Sequence, residues 1–321
     1  MFTSVIIGCG RIGTGFDSPS DATALTHANA YTRSNHFQLV GLYDNDLEKS
    51  KEASVKWKVN SFDDFDEMMA RTKPDVISIC VSTPYHAYYL RKALGYDLKL
   101  VILEKPLTDD LKESEELVRL YEEKKLPILV NYTRRFVPGF QNFRERILKG
   151  DLGEIFNVSL KYSKGILNNG SHAIDLCRFL FGDLINGHIV HSKIDYSEKD
   201  PTMSLVLEFE RCKEVYLQAC DERHYSIFEL DVCHKNGRTV FEEFGHKKKE
   251  FIIRNHPIYA GYYDLEEKTP NSTGMALAMQ RMVDNASDFL SGKESLVCTD
   301  TDALSAQSIC MGFSESSYLK Q

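Results

Sequence analysis

An apolar run, Ser4-Val5-Ile6-Ile7, passes straight into Gly8-Cys9-Gly10-Arg11-Ile12-Gly13, and this passage constrains the fold more than any other. Glycines at the first, third and sixth positions let a chain leaving a strand turn tightly, approach a ligand and pack the next helix closely. Behind a β-branched strand and ahead of further strand and helix signals, the hexapeptide reads as the pyrophosphate turn of a dinucleotide-binding βαβ unit. Gly8, Gly10, Arg11, Ile12 and Gly13 are therefore candidate cofactor contacts.

The second apolar run ends Val40-Gly41-Leu42-Tyr43-Asp44, which puts an acid where an adenosine ribose belongs. A carboxylate there accepts from ribose hydroxyls and repels a 2'-phosphate, so NAD is the expected cofactor and NADP the lesser candidate. Asp46 competes for the same role. Residues 14–26 form an insertion rich in Gly, Asp, Ser and Pro before helical patterning begins near His27, and it is expected over the pyrophosphate or at the cleft mouth.

At 321 residues the chain fits two domains, expected as 1–127 for nucleotide binding and 128–321 for substrate binding and oligomerisation. Apolar runs at 37–43, 76–81, 98–103 and 127–131 alternate with amphipathic segments such as 111–125, the signature of an α/β fold with a doubly wound parallel sheet. Strand candidates then follow in near succession at 155–162, 187–192, 203–209, 214–219, 227–233 and 238–244. They predict an α+β domain on a large, mostly antiparallel open sheet. Residues 255–273 read as a long loop, and helices are expected at 275–290 and 302–320.

Composition narrows the classes. A hydrophobic fraction of 42% with 27% charged residues and no long apolar run excludes a membrane-spanning helix, and a net charge of -8 opposes nucleic-acid binding. The start Met1-Phe2-Thr3-Ser4 lacks a basic leader, so a cytoplasmic location is expected. The eight cysteines show no C-x-x-C spacing and read as reduced core thiols, while His188, His191, His224 and His234 form no ligand set, so no metal is expected.

The glycine turn, the segment Ser82-Thr83-Pro84-Tyr85-His86, and above all Glu104-Lys105-Pro106 resemble the glucose-fructose oxidoreductase, inositol dehydrogenase and MocA group. Asn131-Tyr132-Thr133-Arg134-Arg135-Phe136 and Gly170-Ser171-His172-Ala173-Ile174-Asp175 extend the resemblance through the chain. It implies a Rossmann domain and a C-terminal domain whose open sheet makes homodimers or homotetramers. It further implies hydride transfer between NAD(P) and a hydroxyl or carbonyl of a sugar, nucleotide sugar or polyol. By the same resemblance Thr83, Pro84, His86, Glu104, Lys105 and Asn131 join the cofactor site. Lys105 faces the nicotinamide crevice as a catalytic cation, where an ammonium stabilises developing negative charge on the substrate oxygen. His172 then exchanges the hydroxyl proton, as an imidazole can near neutral pH.

One departure stands out. The group carries an aspartate four positions before the histidine, and here that position is Asn168. An amide oxygen can still orient the ring but adds no charge, so His172 should be a weaker base unless another group assists. Tyr162, Lys161 and Lys164 are the nearby candidates, and Asp175 either supports His172 or meets an arginine such as Arg178. Arg134 and Arg135 suit a carboxylate or phosphate of the substrate, or an inter-domain ion pair. Two alternatives stay open: a glycosidase of the same group that uses NAD transiently, and a non-catalytic sugar or NAD sensor.

Overall fold

The computed structural model describes residues 1–268 and 270–318. The chain divides into two compact units, Met1–Phe136 with Ala276–Ser305, and Val137–Met275 with Ala306–Gln321.

In the first unit, strands and helices alternate: β1 (Phe2–Ile7), α1 (His27–Arg33), β2 (Phe37–Tyr43), α2 (Leu47–Trp57), β3 (Ser61–Phe62), α3 (Phe65–Thr72), β4 (Val76–Ile79), α4 (His86–Ala93), β5 (Leu100–Leu103), α5 (Leu111–Lys124) and β6 (Ile128–Val130). The sheet order is β3-β2-β1-β4-β5-β6 with every pairing parallel, the doubly wound arrangement. Val5, Ile6 and Ile7 of β1 and all of β5 are fully buried, as strands covered on both faces require. Each such branched side chain stabilises the fold by about 1.5–3 kcal/mol. Asp46, Asp64 and Asp110 cap the N-termini of α2, α3 and α5 by accepting backbone N–H bonds. The same helices end on lysines in the left-handed region, Lys58, Lys73 and Lys125, where a glycine is the usual choice.

The second unit holds α6 (Pro138–Lys149), β7 (Ile155–Tyr162), α7 (Gly170–Phe181), β8 (Leu184–Ser197), β9 (Asp200–Phe209), β10 (Cys212–Ala219), β11 (Phe228–His234), β12 (Gly237–Glu242), β13 (Lys247–Asn255), β14 (Tyr263–Glu267) and β15 (Asn271–Ser272). They make one nine-stranded sheet, β14-β13-β12-β11-β7-β10-β9-β8 with β15 on β13, in which β7 and β10 pair in parallel and the other pairings are antiparallel. Met203, Leu205, Leu207 and Phe209 of β9 are buried in alternation with half-exposed neighbours, so one face of the sheet is covered. Two helices follow, α8 (Ala278–Leu290) and α9 (Asp300–Tyr318).

Two expectations need correction. The boundary is not a single cut after residue 127: β6 completes the parallel sheet, and residues near Cys298 return to bond it, Val130 N–H donating to Cys298 C=O at 3.1 Å. The segment 255–273 is not a plain loop but holds β14 and β15 paired on β13. The expected helix 302–320 corresponds to α9, Asp300–Tyr318, and residues 319 and 320 of that expectation lie outside the described residues.

Candidate functional site

The carboxyl ends of β1, β2, β4, β5 and β6 place Gly8, Asp44, Cys80, Glu104 and Asn131 along one edge of the parallel sheet. A cavity of about 430 Å³ opens there between Gly8 and Gly10 on one side, Asp44, Asn45 and Lys49 on another, and the Cys80–Ser82 backbone with Tyr85, Tyr88 and Tyr89 on a third. Gly8 has φ +93°, and a Cβ on it would stand 2.7 Å from the Cys80 carbonyl carbon; one on Gly13 would stand 2.1 Å from the Gly8 oxygen. At Gly10 nothing lies within 4 Å, which leaves room for a ligand against the backbone. Arg11 is exposed and Ile12 half-buried on the same turn. Burial pushes the Cys9 thiol up to about 12, so it stays protonated.

Asp44 is nearly buried, and its two oxygens accept from the N–H groups of Cys9 (2.7 Å) and Asp46 (2.9 Å). The carboxylate is thus pinned to the glycine turn with lone pairs to spare for a ribose. Its competitor Asp46 is occupied as the cap of α2 and pairs with Lys49 at 3.1 Å. Replacing Asp44 by serine removes the anion and leaves Lys49 on the cavity wall. The ratio of NADP to NAD affinity should then rise by at least about tenfold, ~1.4 kcal/mol. Titration followed by fluorescence of the single Trp57, whose indole N–H donates to Thr14 C=O at 3.0 Å, reads this directly. An unchanged ratio would remove Asp44 from the ribose site.

The insertion is organised by Asp17, a buried carboxylate that accepts from Leu25 N (2.5 Å), Thr26 N (3.1 Å), Thr26 Oγ1 (2.5 Å) and Asn29 Nδ2 (2.9 Å). Sequence reading did not single out this residue. It fixes the first turn of α1 and so delivers His27 into the interior. His27 meets Glu104 at 2.9 Å, and Asn131 Nδ2 donates to the same Glu104 oxygen at 2.7 Å. Since Glu104 can only accept, the Asn131 amide is oriented, and among the described residues its buried Oδ1 has no donor. Burial raises the Glu104 carboxyl, but hydrogen bonds from His27 and Asn131 and the charge of Lys105 outweigh it and hold the group below the ordinary range. Lys105 is half-buried on the loop leaving β5.

Several expected contacts have other roles. His86 is buried with Nδ1 on Pro106 C=O (2.8 Å) and Nε2 on Val81 C=O (3.0 Å), so it ties the Lys105 loop to the loop after β4 instead of presenting a free nitrogen to a cofactor. Burial lowers its pKa. Thr83 and Pro84 begin a short 3-10 turn on the cavity side of that loop, Thr83 half-buried and Pro84 exposed. Arg134 and Arg135 are buried rather than paired on a surface. Arg135 bonds Val297 C=O at 3.2 Å and Asp302 at 3.1 Å, fastening the returning segment to the first unit.

In the second unit, β7 leads into a turn with Lys164 and Gly165 both at positive φ, 76° and 77°, before α7. A Cβ on Gly165 would fall 2.0 Å from an Asp200 carboxylate oxygen, because Asp200 reaches under the turn. Its oxygens accept from Leu167 N–H (2.7 Å) and Asn168 N–H (3.0 Å). A carboxylate is therefore bonded to the backbone of the very residue whose side chain lacks one. Thr202 and Asp195 complete the support: Gly165 N–H donates to Thr202 Oγ1 (2.6 Å), and that hydroxyl donates to Asp195 (2.5 Å). His172 stands half-buried in the first turn of α7. Lys164 lies 4.0 Å from Glu222 and over the Tyr196 ring. Tyr162 does not assist: it is fully buried, its hydroxyl donating to Met203 C=O (2.7 Å) and accepting from Met203 N–H (2.9 Å), and burial drives its pKa up. Lys161 points to the exposed side of the strand. Arg178 pairs with Asp183 at 2.8 Å.

Residues 2–132 match the model of the Gfo/Idh/MocA oxidoreductase family, NAD-binding Rossmann fold. That match spans 131 of the 321 residues, the part that carries the glycine turn, Asp44 and Glu104-Lys105. The D-glucoside 3-dehydrogenase of Escherichia coli is 24% identical over 256 residues, which cover 67% of this chain and 73% of that protein. Other curated relatives are matched over less of their own length, 42% and 31% for two of them. Among solved structures, an oxidoreductase of Desulfitobacterium hafniense named for NADPH superposes with TM-score 0.84 at 17% identity, covering 100% of this chain and 96% of that one. The WlbA dehydrogenase of Bordetella pertussis, solved with NADH and UDP-GlcNAcA, superposes with TM-score 0.80 at 14% identity, covering 100% and 96%. At such identities the structural likeness establishes the fold alone.

Proposed function

We propose that the chain is an NAD-dependent dehydrogenase acting on a hydroxyl or carbonyl of a sugar, nucleotide sugar or polyol, working as a homodimer or homotetramer in the cytoplasm. The reading is carried by one observation. Along a single edge of the parallel sheet lie the glycine-turn cavity with Asp44 on its rim and, after β5 and β6, Glu104-Lys105 and Asn131, whose oxygen has no donor among the described residues. That oxygen suits an amide N–H such as a nicotinamide carboxamide offers. NAD, when bound, supplies the hydride acceptor. Gly8, Gly10 and Gly13 admit its pyrophosphate, and Asp44 accepts from its ribose. Lys105 holds the substrate oxygen and stabilises the charge that develops on it. His172 takes the hydroxyl proton in oxidation and returns it in reduction. The sugar class is supported by the names of the E. coli and Bordetella relatives. Exposed Ile185, Val190, Ile194 and Tyr196 on β8 support association through the open sheet.

The test is NADH formation by the full chain with NAD and a panel of hexoses, uronic acids, polyols and nucleotide sugars. NADH accumulating in step with an oxidised product is the expected result. Bond cleavage without net NADH would turn the reading to a glycosidase, and NAD binding with no turnover of any panel member would turn it to a sensor.

A further inference from the structure

His27 is fully buried, 77 positions from Glu104 in the chain, yet its Nε2 lies 2.9 Å from a Glu104 oxygen. Its Nδ1 lies 3.3 Å from Ser78 Oγ, which in turn lies 2.7 Å from the hydroxyl of buried Tyr31. The direction of the bond between His27 and Glu104 follows from the chemistry of the acid. An ionised carboxylate only accepts, so the proton between His27 and Glu104 sits on Nε2. Nδ1 with Ser78, and Ser78 with Tyr31, lie within hydrogen-bond reach, the donor in each pair following the state of the ring.

We infer that His27 is a positioning residue which, as a donor to the same carboxylate oxygen that Asn131 bonds, keeps Glu104 ionised and thereby keeps its neighbour Lys105 an ammonium. The inference rests on Lys105 acting at the reacting oxygen, and it gives a purpose to the insertion, because Asp17 is what sets the first turn of α1. The groups that face Glu104 are His27, Asn131, Lys105, Cys80 and His86. Burial raises the Cys80 thiol, which stays protonated, and lowers the pKa of the His86 imidazole against the pull of its two carbonyl partners. The hydrogen bond and charge of His27, then the Asn131 amide and last the charge of Lys105, offset the burial of Glu104. Without the His27 donor, burial would favour the protonated acid, and the ammonium would lose an adjacent anion.

The measurement is competitive acylation of Lys105 in the full chain with NAD present, quantified by mass spectrometry across pH. Glu104→Gln, which keeps the shape, and His27→Leu should each lower the midpoint of Lys105 labelling by about 1 unit or more. His27→Gln, which keeps an N–H donor, should restore most of the difference. Equal midpoints in wild type and Glu104→Gln, with Trp57 fluorescence native, would overturn the inference, as would a His27→Gln midpoint no closer to wild type than that of His27→Leu. The panel assay is independent. Shifted midpoints without NADH on any sugar would sink the dehydrogenase reading alone, and NADH with unshifted midpoints would sink this inference alone.

Discussion

Replacing Lys105 with methionine should lower turnover by about 10²–10³-fold, the usual cost of removing one donor to a developing oxyanion, while NAD affinity stays near that of the unaltered protein. Methionine preserves length and apolar bulk, so the change is chiefly one of charge. The loop is held independently of the ammonium: Glu104 N–H donates to Ile79 C=O at 3.1 Å, Pro106 C=O accepts from His86, and Leu107 is buried. An interaction that strengthens only as negative charge builds should appear in kcat more than in binding. Single-turnover rates and NAD titrations on the same preparation separate the two. Normal turnover with weakened NAD binding would make the lysine a cofactor ligand instead.

The second large effect concerns His172. His172→Ala should reduce oxidation by about 10²–10⁴-fold and abolish the acidic limb of the rate profile, because a base is useful only while unprotonated. Asn168→Asp supplies a second, milder test. A carboxylate added in the turn before α7 favours the imidazolium, raises the pKa of the ring and moves the acidic limb to higher pH. Asp200 already holds a negative charge on the Asn168 N–H, so the displacement should be smaller than that of placing an anion in an uncharged turn. An acidic limb unmoved in both variants would assign the proton to another group, and Tyr162, its hydroxyl closed onto Met203, would not be that group.

How much could be read from the residues alone depended on where each signal lay. Strands such as 37–43 and 155–162 match β2 and β7 residue for residue, since burial on a parallel sheet or on one covered face writes itself into local apolar pattern. Strand β13 begins Lys-Lys-Lys-Glu and buries little, and β14 is mostly exposed. Their pairing is set by the neighbouring strands, which no local pattern reports, so the segment looked like loop. The same limit governs the site. The glycine turn and Asp44 are local features. Asp200 under Asn168, and His27 beside Glu104, join positions 32 and 77 apart, and only the topology brings them together. The Asn168 substitution looked like a missing charge because sequence shows a side chain lost at one position and not a carboxylate arriving from another strand.

The way the chain crosses between its two units has a practical corollary for anyone who would cut or recombine it. The nucleotide-binding unit is assembled from an N-terminal stretch and the separate stretch Ala276–Ser305, and the second unit likewise from two pieces. Neither is a cassette that can be excised with one pair of ends. A fragment stopping at residue 127 would lack β6 and the returning residues that bond it. The Rossmann unit is complete only once nearly the whole polypeptide has been made, so a chain truncated anywhere before the start of α9 loses part of its cofactor unit along with its C-terminus.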